Sequence, residues 1–133
     1  MDLNRPCGAL ERDLIGRGYA HGMKITKPVD DVAREVAEIL RESGKEGADA
    51  LPVVASTSSA VITYTVLVGG ELDEAAQGLV LGAMAASREL GLAESNARLA
   101  AAQSALEAVG PFGPAARELV REALIRLIGR GPL

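Results

Sequence analysis

The chain is short of the residues that build most protein interiors and most active sites. Its 133 residues include no tryptophan, two tyrosines (Tyr19 and Tyr64), one phenylalanine (Phe112), one cysteine (Cys7) and one histidine (His21). A lone cysteine forms no internal disulfide, which excludes a disulfide-stapled scaffold. Three aromatic rings are too few to interleave with basic side chains as a nucleobase-stacking surface. The 11 arginines and 3 lysines are dispersed among 18 acidic residues. With a net charge of −4 the long-range field repels phosphate backbones, so nucleic acid is not an expected partner. No basic n-region followed by an apolar h-region opens the sequence, and with the single cysteine this leads to an expected cytoplasmic location. No CxxC or HxxxH spacing occurs, and no glycine-rich loop ends in a lysine. Neither a metal site nor a cofactor is therefore expected.

What is abundant is small. Alanine contributes 23 residues and glycine 15, so an interior built from this chain is fine-grained and gains less per residue from apolar burial, at about 25 cal/mol per Å², than an aromatic-rich one. A length of 133 residues suits one domain against roughly 100–200 residues per domain. Residues 1–27 carry scattered glycines and read as an irregular N-terminal segment, while 28–133 read as a single, mainly helical domain.

Within that domain the punctuation is clear. Pro28 suits a first helical position, Asp30 and Asp31 an acidic first turn, and Val29, Val32, Val36, Ile39 and Leu40 recur at helical spacing up to Gly44. Three more helices are expected over about 71–90, 94–109 and 114–129, bounded by Gly91, Gly110, Pro111, Pro114 and Gly129. In the last, Ala116, Leu119, Val120, Ala123, Leu127 and Ile128 form one apolar stripe that Leu124 and Ile125 widen. A helix apolar around so much of its girth needs two neighbours in the fold or a partner chain.

Leu51–Val68 is the ambiguous stretch. It lies within 21 residues without a charge, Ala50–Gly70, which is long enough to cross a bilayer. The hydroxyl run Ser56-Thr57-Ser58-Ser59 and the acidic flanks Asp49 and Glu71 argue against a span, so no membrane partner is expected. Its β-branched residues favour two strands, 52–55 and 60–68, joined by the hydroxyl run as a turn. The sequence therefore points to an α+β fold, four or five helices with a β-hairpin at 51–68. An all-α bundle is the alternative.

Candidate sites are few. Ser56, Thr57, Ser58 and Ser59 offer hydroxyl and backbone donors to a phosphate or carboxylate, although turn or capping chemistry is the preferred explanation of the run. Gly78 and Gly82 lie one helical turn apart and imply that a side chain there would strike another helix or a ligand. Cys7 and His21 are the only thiol and imidazole, half of a tetrahedral metal site at best. Glu71, Asp73 and Glu74 stabilise a helix start rather than collect an anion. No catalytic constellation emerges. The leading expectation is a small homo-oligomeric interaction or scaffold subunit without catalytic activity, most simply a dimer, with itself as partner. The alternative is a small-molecule binder or small enzyme with a pocket between 56–59 and 78–82.

Overall fold

The computed structural model describes residues 29–129. Five α-helices follow one another in this region: α1 Val29–Glu42, α2 Leu51–Val68, α3 Leu72–Ala86, α4 Glu94–Val109 and α5 Pro114–Ile128. Single 3-10 turns, Gly47–Ala50 and Gly110–Phe112, lead into α2 and α5. No strand occurs among the described residues. The expected hairpin at 51–68 is thus corrected to one continuous helix, and the fold is all-helical rather than α+β.

The hydroxyls explain the correction. Taken as helix breakers, they instead bond back along the helix: the Ser58 hydroxyl donates to the Val54 carbonyl at 2.8 Å, Thr65 to Val61 at 2.7 Å and Ser56 to Val53 at 3.2 Å. Each hydroxyl adds a second bond to a carbonyl instead of competing for it. The buried residues Val54, Thr57, Ser58, Val61, Ile62 and Thr65 then fall on one face at helical spacing. At its end Gly69 takes φ 71°, where a Cβ is strained, and Gly70 N–H returns to the Thr65 carbonyl at 2.8 Å.

The remaining helices start and stop close to where glycine and proline place them in the sequence, except that α3 ends at Ala86, four residues before the end expected ahead of Gly91. α3 is central: it packs most extensively on α1 and also against α4, α5 and α2. α2 lies mainly on α4. On α4 the buried residues include Ala97, Ala101, Ala102 and Ala105. Among the described residues alanine supplies 11 of the 25 buried apolar ones, so helices approach closely and the core is set by backbone proximity as much as by large side chains.

Two connections meet at one end. Gly47 N–H donates to the Leu90 carbonyl at 2.7 Å, tying the α1–α2 link to the turn that follows α3. Arg41, at the end of α1, donates to the Ala85 carbonyl and to Glu89 Oε1, both at 3.2 Å. α5 departs from expectation. Only Val120, Ala123 and Leu124 are fully buried, with Ala116, Leu127 and Ile128 packed part-way, whereas Leu119 stands 55% exposed. Its stripe is a seam against the core, narrower than the sequence suggests.

Candidate functional site

The hydroxyl run sits in the first half of α2, so its four members point in different directions. Ser58 is buried and bonded to Val54. Thr57 is buried as well, and its hydroxyl oxygen has no hydrogen-bond partner. Ser56 and Ser59 face outward. A helical run offers no free backbone N–H groups for an anion, because those donors already close the helix. The polar turn expected to cradle a phosphate or carboxylate is therefore not formed.

Gly78 and Gly82 are both buried, and α1 lies directly on them. A Cβ on Gly78 would meet Val32 Cγ1, Val32 Cβ at 2.5 Å and the Val29 carbonyl oxygen at 3.2 Å. On Gly82 it would meet the Ala33 carbonyl oxygen at 2.6 Å and Val36 at 2.8 Å. The obstacle that the sequence implies is thus a helix. The glycines let α1 and α3 touch, and that contact fills the space a ligand would need beside them.

Cys7 and His21 lie outside the described residues. Among the described residues no group of three or more His, Cys, Asp or Glu side chains comes together in a way that could hold a metal ion. Glu71, Asp73 and Glu74 remain an acidic helix start. One carboxylate is electrostatically distinctive. Arg41's hydrogen bond, foremost, together with a backbone bond and, to a lesser degree, the nearby charges of Arg41 and Arg88, holds Glu89 below the usual glutamate range against the opposing effect of desolvation. The pair is about half exposed, so it clamps the end of α1 to the end of α3 without forming a site.

The feature that sequence reasoning missed is the outer side of α2. Leu51, Pro52, Ala55, Ser56, Ser59 and Leu67 are exposed there and Ala60, Thr63 and Val66 partly so, with no charged side chain among them. The outward sides of the neighbours differ: α1 exposes Asp30 and Arg34, α4 exposes Glu107, and α5 exposes Arg117, Glu118, Glu122 and Arg126. With the turn before it, α2 forms a helix of 22 residues, Gly47–Val68, long and apolar enough to cross a membrane, with less than half of it buried inside the fold. The signal was present in the charge-free stretch, but only a helical reading divides that stretch into two faces. Comparison with family models, curated proteins and solved structures finds no match to this chain.

Proposed function

We propose that the protein is a non-catalytic interaction subunit that works by self-association, and that it does so in the cytoplasm. The observation that carries this reading is the charge-free outer side of α2, which leaves Leu51 and Leu67 at 41% and 61% exposure. An exposed helix side that carries apolar residues and no charge favours a protein contact. The filled space at Gly78 and Gly82 weighs against the alternative of a small-molecule pocket there.

The same helix also satisfies the length of a membrane span. We favour solution over bilayer because Asp49 lies within it, Glu71 follows it, and its inner face packs on α4. Light scattering coupled to size exclusion, from micromolar to millimolar protein in detergent-free buffer, tests the reading. Mass rising from 13.7 kDa toward an integral multiple supports it. A particle of 13.7 kDa at every concentration overturns it.

A further inference from the structure

We draw no further inference here: the strongest candidate, the uncharged outer side of α2, already carries the self-association reading, and nothing in the structure shows what covers it.

Discussion

Gly82 of α3 lies so close to Val36 of α1 that a Cβ built on the glycine would stand 2.8 Å from Val36 Cβ. The Ala33 carbonyl oxygen is nearer still, at 2.6 Å. Gly82→Ala is therefore expected to destabilise the fold even though alanine is the better helix former by about 1 kcal/mol. Overpacking of this kind costs about 1–3 kcal/mol, and here the obstacle includes backbone. Val36→Ala should not rescue the variant, because the Ala33 carbonyl stays in place. Urea denaturation of both single variants and the double variant checks this. A Gly82→Ala chain at least as stable as the parent would mean that α1 does not rest on α3 as described.

Thr57 poses the opposite test. Its hydroxyl is buried at 1% exposure and has no hydrogen-bond partner. An unsatisfied buried polar group costs about 1–3 kcal/mol. Valine has the same shape and nearly the same helix propensity, so Thr57→Val is expected to stabilise by about 1 kcal/mol and to raise Tm in a thermal melt. A fall in Tm would show that the hydroxyl has a partner after all, a bound water or ligand, and would return the 56–59 run to consideration as a binding site.

For three of the helices the fold was legible from the glycines and prolines that punctuate the chain. Val29–Glu42, Glu94–Val109 and Pro114–Ile128 lie within a residue or two of the boundaries that Pro28, Gly44, Gly110, Pro114 and Gly129 suggest. α2 was not legible, for a physical reason. Its inner face carries Thr57, Ser58 and Thr65 as well as aliphatics, and its outer face carries Leu51 and Leu67. Polarity therefore does not separate the two faces, and the helical period is hidden from a hydropathy count. β-branched content then tips the balance toward strands. For the candidate sites, the spacing of Gly78 and Gly82 announced a close approach but not its partner. Only the fold identifies that partner as Val32, Ala33 and Val36.

The Arg41–Glu89 pair predicts a pH effect of definite sign. Glu89 titrates below its ordinary value in the folded chain, chiefly because Arg41 donates a hydrogen bond to it. A folded pKa below the unfolded one adds stability at pH above the unfolded value, and that contribution disappears as pH falls through the folded value. Arg41→Gln should move the Glu89 titration upward toward the ordinary glutamate range and flatten the acid side of the stability profile. Carboxyl-carbon NMR titration of Glu89 reads the first effect directly. Since both side chains are about half exposed, 1 M salt should move the parent in the same direction by screening, where the Debye length is about 3 Å. An unmoved Glu89 in Arg41→Gln would count against the clamp.

α5 supplies the sharpest comparison between sequence pattern and packing, since Leu119 and Leu124 both belong to its apolar side by sequence. Leu124 is fully buried, whereas Leu119 is 55% exposed. Truncating a buried leucine removes its transfer free energy and leaves a cavity, at a cost of about 2–5 kcal/mol. Surface truncations change stability by about 0.5 kcal/mol or less. Leu124→Ala is thus expected to lower the urea midpoint strongly, and Leu119→Ala to leave it nearly unchanged. Measured well below the association range, the comparison reports the monomer alone. Equal losses at the two positions would show that Leu119 is enclosed within the monomer, contrary to the exposure it has in this packing of α5.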